Sequence, residues 1–129
     1  MRKILLTLFL VLTANLLLIA CASSADAPAK AVENYLNALV EKDEDRLSTL
    51  VCGAWEADAL TALDGLQGVA ARLENASCNQ TGTDGNIALV NCSGKMILTY
   101  DTEDQDIDLS VFTYKVIEEG SDWLVCGVR

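Results

Sequence analysis

Residues 87–100 read IALVNCSGKMILTY. Apolar side chains recur at alternate positions, at Val90, Cys92, Met96 and Leu98, which is the period of a strand with one buried face. The runs on either side, TGTDGN (81–86) and DTEDQD (101–106), have the Gly- and Asp-rich composition of hairpin loops. A strand held between two such loops implies an antiparallel neighbour on each side. The preceding one lies within Leu66 to Thr81, and the following one runs from Ile107 to Ile117. A third loop, Glu118 to Asp122, leads to a last strand from Trp123 to Val128. Four strands in an antiparallel meander follow from this reading, with residues 68–72 equally able to continue a helix.

Register assigns faces. A turn centred between Glu103 and Asp104 sets Leu98 opposite Leu109 and Met96 opposite Val111, and one between Glu119 and Gly120 sets Cys126 opposite Thr113. Because side chains alternate, Val90, Cys92, Met96, Leu98, Leu109, Val111, Leu124, Cys126 and Val128 then share the apolar face. A first hairpin centred on Gly85 places Cys78 directly across from Cys92. Leu73 and Cys78 are an odd number of positions apart, so both face the core only if the strand carries a bulge, expected at Asn75.

The chain has five cysteines. Cys52, Cys78, Cys92 and Cys126 form an even set in a small domain, for which two disulfides are the default in an oxidising compartment. Three pairings are open. Cys92 and Cys126 would sit on strands separated by a third, about 9.6 Å apart at the usual spacing, beyond the reach of a disulfide. Geometry therefore prefers Cys78 with Cys92 and Cys52 with Cys126. The fifth, Cys21, calls for a role of its own.

Upstream of the sheet the period lengthens. Pro28 sits in the first turn of a helix in which Val32, Tyr35, Leu36, Leu39 and Val40 recur at helical spacing. The charged run Glu41 to Arg46 ends that stripe, and Asp43 is an N-cap for a short second helix carrying Leu47, Leu50 and Val51. A third helix follows Gly53, with Trp55, Ala59, Ala62 and Leu63 on one stripe and an end near Asp64-Gly65. The fold class is α+β: N-terminal helices packed on a curved four-stranded antiparallel meander, one domain over residues 28–129.

The segment Ala31-Val32-Glu33-Asn34-Tyr35-Leu36-Asn37-Ala38-Leu39 and the closing strand Asp122-Trp123-Leu124-Val125-Cys126 resemble the opening helix and last strand of the cystatin-like, nuclear-transport-factor-like superfamily. The resemblance implies a cone with a pocket between helices and sheet. It transfers no activity, since that fold hosts many unrelated functions. The family usually has a helix between its first two strands, whereas here all helices precede the sheet. If the cone has a pocket, Trp55, Met96, Tyr100 and Val111 are expected to line it, as an apolar site with a polar handle.

The first 20 residues read as a leader: basic Arg2 and Lys3, then an apolar run from Ile4 to Ala20, at 17 residues short for a bilayer span. It ends in Leu18-Ile19-Ala20-Cys21, which resembles the lipobox of bacterial lipoproteins. The resemblance implies that Cys21 carries diacylglycerol and becomes the first residue of the mature chain. Residues 21–27 would then be the lipidated cysteine and a short tether, and the membrane lipid joined to Cys21 the first partner. Two or more acyl chains anchor stably where one does not. The expected location is a bacterial cell envelope, with the domain on the extracytoplasmic side.

Charge and composition limit the chemistry. The chain has 9 Lys+Arg against 19 Asp+Glu, and without Arg2 and Lys3 the balance is 7 against 19, or −12. Nucleic acid is not an expected partner. The absence of histidine removes Ser-His-Asp and Cys-His triads and the usual zinc sites. No cofactor is expected. Asp101, Glu103, Asp104, Asp106 and Asp108 lack the spacing of a calcium loop and read as a solvated hairpin tip. Glu56 and Glu74 are the acids whose neighbours favour burial. The expected function is thus a non-enzymatic envelope module that binds a protein partner or a small apolar ligand. The alternative is a small isomerase or hydrolase working through a pocket carboxylate.

Overall fold

The computed structural model describes residues 26–129; Cys21, the leader and tether residues 22–25 lie outside that range. Three helices come first: α1 (Ala27–Glu41), α2 (Glu44–Leu50) and α3 (Glu56–Asp64). Five strands follow, β1 (Ala70–Asp84), β2 (Ile87–Tyr100), β3 (Glu103–Asp108), β4 (Thr113–Glu119) and β5 (Asp122–Val128), with a 3-10 turn at Leu109–Val111. The fold is α+β, with all α-helices before an entirely antiparallel sheet of strand order β1-β2-β4-β5. Among the described residues, no helix is long and apolar enough to cross a membrane.

α1 lies across the sheet and touches β1, β2, β4 and β5. Pro28, Val32, Tyr35, Leu36 and Leu39 are buried along its inner face, as the helical period requires. Its end is set by Lys42, which takes a left-handed conformation and returns its backbone N–H to the carbonyls of Ala38 and Leu39. Asp43 caps α2 by accepting from the Arg46 backbone N–H at 3.0 Å. Just beyond α2, Val51 forms a parallel bridge with Val125, and the Cys52 N–H donates to the Val125 carbonyl, which covers the outer edge of β5.

The strand expected from Ile107 to Ile117 is two strands. Asp101 adopts a left-handed conformation and closes the hairpin directly after Tyr100, so that Met96 pairs with Ile107 and Leu98 with Gln105. The chain then turns through Leu109–Val111, where the Asp108 carboxylate accepts from the Ser110 N–H. Pairing resumes with Asn91 opposite Thr113, three positions from the Gly94 that the register of the sequence reading would supply. Three is odd, so the faces of the last two strands exchange relative to the sequence reading. Tyr114, Val116 and Val125 are buried, whereas Leu124 and Cys126 are only half-buried and Val111 is exposed. A bulge at Cys126 restores Val128 to the core side, opposite Tyr114.

Cys78 pairs directly with Cys92 across β1 and β2 and is bonded to it, with Cα atoms 4.0 Å apart. Cys52 is bonded to Cys126 over 74 residues, Cα atoms 5.3 Å apart, and ties the end of α2 to β5. The β1–β2 ladder is displaced between Glu74 and Ser77, where Asn75 and Ala76 oppose Gly94. Asn75 sits at φ 52° and Gly94 at φ 90° in this bulge.

Candidate functional site

An apolar cavity of about 260 Å³ opens between the helices and the inner face of the sheet. α1 contributes Tyr35, Leu36 and Leu39; Trp55 and Ala62 come from the start and body of α3, and Leu66 from just beyond it. The sheet side is made by Met96, Ile107, Leu109, Phe112, Tyr114 and Val128. The 3-10 turn and its C-cap supply two of these six residues, Leu109 and Phe112. Leu109 keeps the inner parity of Ile107 and is 1% exposed, and the break in the strand brings Phe112 to the same wall as Tyr114.

Of the four residues expected from the sequence, Trp55 and Met96 line this cavity. Tyr100 and Val111 do not: Tyr100 ends β2 opposite Glu103 at the hairpin rim, 43% exposed, and Val111 points out of the 3-10 turn, 68% exposed. Val111 follows from a register that assumes an unbroken third strand, whereas Tyr100 keeps the parity of Met96 and Leu98 but lies at the very end of β2. Ile107, Leu109, Phe112 and Tyr114 occupy the wall instead. One sequence signal for this exchange was available in Asp108-Leu109-Ser110, since Asp before a turn caps the next amides and interrupts a ladder.

The polar atoms of the cavity are few and neutral. Tyr35 and Tyr114 stack edge to face, ring centroids 6.3 Å apart at 65°. Burial pushes the Tyr35 phenol up from its ordinary pKa, and the neighbouring Trp55 indole works against that shift. Burial, with Tyr35 alongside, pushes Tyr114 up to about 12. Both phenols are therefore uncharged throughout the neutral range. Trp55 Nε1 is shut off from solvent and from the cavity space, and the Tyr35 phenol beside it, whose pKa it lowers as a hydrogen-bond donor, lies outside strict hydrogen-bond geometry. Among the described residues Trp55 Nε1 is the one buried side-chain polar atom left in this state.

No carboxylate lines the cavity. Glu74 is exposed and Glu56 half-buried at the first turn of α3, and neither contributes to the wall. A wider groove of about 650 Å³ lies at the start of α1, between Asp26, Lys30, Asn34, Thr49, Leu50, Asp122 and Trp123. Its rim is charged and it has no buried polar group aimed into it.

The acidic hairpin is tied to the outer face of the sheet. Asp104 accepts from Arg72 at 3.0 Å and from Thr99 at 2.6 Å, and Asp106 pairs with Lys95 at 2.6 Å. These pairs flank Ile97, buried on the face opposite α1 and aligned with Arg72 and Asp106. Thr99 and Arg72 hold the Asp104 carboxyl below its ordinary pKa, and Ser110 does the same for Asp108. Among the described residues no group of acids or cysteines is arranged to hold a metal ion.

No protein-family model matches the chain, and no curated protein matches it. A solved structure titled Rd1NTF2_05, an NTF2-like designed protein, is similar over 81% of this chain and 96% of its own, at 13% identity and a TM-score of 0.49.

Proposed function

We propose that the chain is a lipid-anchored binding module of a bacterial cell envelope, held to the membrane by an acylated Cys21 and taking a small apolar molecule between its helices and sheet. The observation that supports this reading is the 260 Å³ cavity, walled by aromatic and aliphatic side chains and lacking any carboxylate. The alternative, a cone enzyme working through a pocket carboxylate, is disfavoured because Glu56 and Glu74 lie elsewhere. The anchor rests on Leu18-Ile19-Ala20-Cys21 at the end of the apolar leader. With four residues between Cys21 and Asp26, the domain would work within about 18 Å of the bilayer surface.

Mass spectrometry of the protein isolated from its own membranes tests both parts. The reading requires diacylglycerol on Cys21 and a stoichiometric apolar compound in the organic extract, lost when Ala62→Phe fills the cavity. A bare or missing Cys21 contradicts the anchor. An extract that is the same for both proteins contradicts the ligand.

A further inference from the structure

We infer that the cavity holds its ligand by one directional contact, a hydrogen bond from the Tyr114 hydroxyl to an acceptor oxygen on an uncharged ring compound, an aryl ketone or ester. The inference rests on the cavity being a ligand site and goes further by naming the anchoring group and the ligand's chemistry.

Tyr114 comes from the middle of the sheet. It is paired with Val90 on one side and Val128 on the other, on the face that α1 covers, and its side chain forms part of the cavity wall. The residue is 3% exposed, yet its hydroxyl makes no hydrogen bond with any described residue. Trp55 Nε1 is the one side-chain polar atom among the described residues that is both sealed and without a partner. The Tyr114 oxygen also has no partner, so it is not sealed, and the open space that its side chain borders is the cavity.

The other polar groups of the wall are already engaged. The Trp55 indole N–H is directed at the Tyr35 phenol, so these two serve each other. The remaining walls are aliphatic, thioether or phenyl. Tyr114 is thus left as the spare hydrogen-bonding group, in surroundings where a bond to a ligand meets little competition from water.

The ligand's character follows from that group and its setting. Burial, with Tyr35 alongside, raises the Tyr114 pKa to about 12, so the phenol keeps its proton at neutral pH. A phenol oxygen shares its lone pair with the ring and donates better than it accepts, which a carbonyl oxygen complements. A carboxylate or ammonium ligand would enter without a counter-charge and lose its hydration, which selects against it. The faces of Tyr35, Trp55, Phe112 and Tyr114 suit a flat ring, and 260 Å³ holds about a dozen heavy atoms. The Tyr114 ring is fixed by its edge-to-face contact with Tyr35, so the donor loses little freedom when a ligand docks.

The test is a matched series on the full chain carrying Cys21→Ser, with 2-acetylnaphthalene, 2-isopropylnaphthalene and 2-naphthoate as probes and Tyr114→Phe and Tyr35→Phe as variants. Affinity is followed by calorimetry, and the carbonyl stretch of the bound ketone by isotope-edited infrared spectroscopy. Tyr114→Phe should weaken the ketone about five- to tenfold, the worth of one net hydrogen bond, and leave the hydrocarbon unchanged. Tyr35→Phe should spare the ketone's advantage, and naphthoate should bind more weakly than either neutral probe. The carbonyl stretch should lie lower in the wild type than in Tyr114→Phe. Should that variant fail to fold, the wild-type band decides alone: shifted below its position in an alkane solvent it supports the bond, unshifted it overturns it. If Tyr114→Phe affects ketone and hydrocarbon alike, if Tyr35→Phe alone removes the ketone's advantage, or if naphthoate binds best, the Tyr114 inference is overturned and the cavity reading stands. If no probe binds, both fall.

Discussion

Gly94 and Asn75 face each other across the β1–β2 ladder so closely that a Cβ on Gly94 would lie 2.6 Å from the Asn75 carbonyl carbon. Backbone, not a flexible side-chain tip, occupies that space, and Gly94 also has φ 90°. The bulge that these residues form lets Leu73 and Cys78 both turn toward the core.

Gly94→Ala is therefore expected to destabilise the domain by about 2–4 kcal/mol, since either the bulge or the strand must move. Gly53→Ala, where an added Cβ meets nothing within 4 Å, serves as the comparison and should change stability by less than about 1 kcal/mol. Urea unfolding of both variants checks the contrast; equal midpoints would mean that the bulge does not depend on Gly94.

Leu109 and Val111 are two residues apart in one 3-10 turn, 1% and 68% exposed. Leu109→Ala should cost about 2–5 kcal/mol and Val111→Ala within about 0.5 kcal/mol. Comparable losses at both positions, measured by denaturant unfolding, would restore the unbroken strand that the sequence suggested.

The two disulfides differ in reach. Removing Cys52–Cys126 frees a loop of 74 residues and removing Cys78–Cys92 a loop of 14. Chain entropy assigns them about 4.5 and about 3 kcal/mol. The Cys52→Ala/Cys126→Ala double variant should thus melt below Cys78→Ala/Cys92→Ala in calorimetry, and it should also weaken ligand uptake because it loosens Trp55. The opposite order would show that local packing around Cys78 outweighs loop length.

Asp104 and Asp108 carry folded-state pKa values below the ordinary carboxylate range. On acidification the unfolded chain takes up protons at these positions first, so their contribution is present above about pH 4 and is lost as pH falls through the folded values. The melting temperature should fall below that pH, less steeply in Asp104→Asn. Both carboxylates are exposed, so the difference between the two curves is expected to be small. Parallel curves would remove Asp104 from the acid response.

The helices, the bulge at Asn75 and the cysteine pairs were legible because each follows from a local signal: helical spacing in α1, the Asp43 cap, the odd separation of Leu73 and Cys78, and the reach of a disulfide. The cavity wall was half legible. Trp55 and Met96 could be placed from their own elements; Tyr100 has the right parity but ends its strand at the rim, and Val111 depended on a register carried across the acidic hairpin. There a two-residue error in the turn and an unforeseen 3-10 turn together shifted the pairing by an odd number. Tyr114 was hidden for the same reason, since a register that sets Thr113 opposite an inward-facing Cys126 turns Tyr114 outward.

That the space between α1, α3 and the sheet is a working binding site is tested most directly by titrating the chain with the neutral fluorophore N-phenyl-1-naphthylamine, in the wild type and in Ala62→Phe. The account predicts a saturable rise in probe fluorescence at one molecule per chain in the wild type, abolished in Ala62→Phe at an unchanged melting temperature. A probe that binds both proteins alike, or neither, would contradict it.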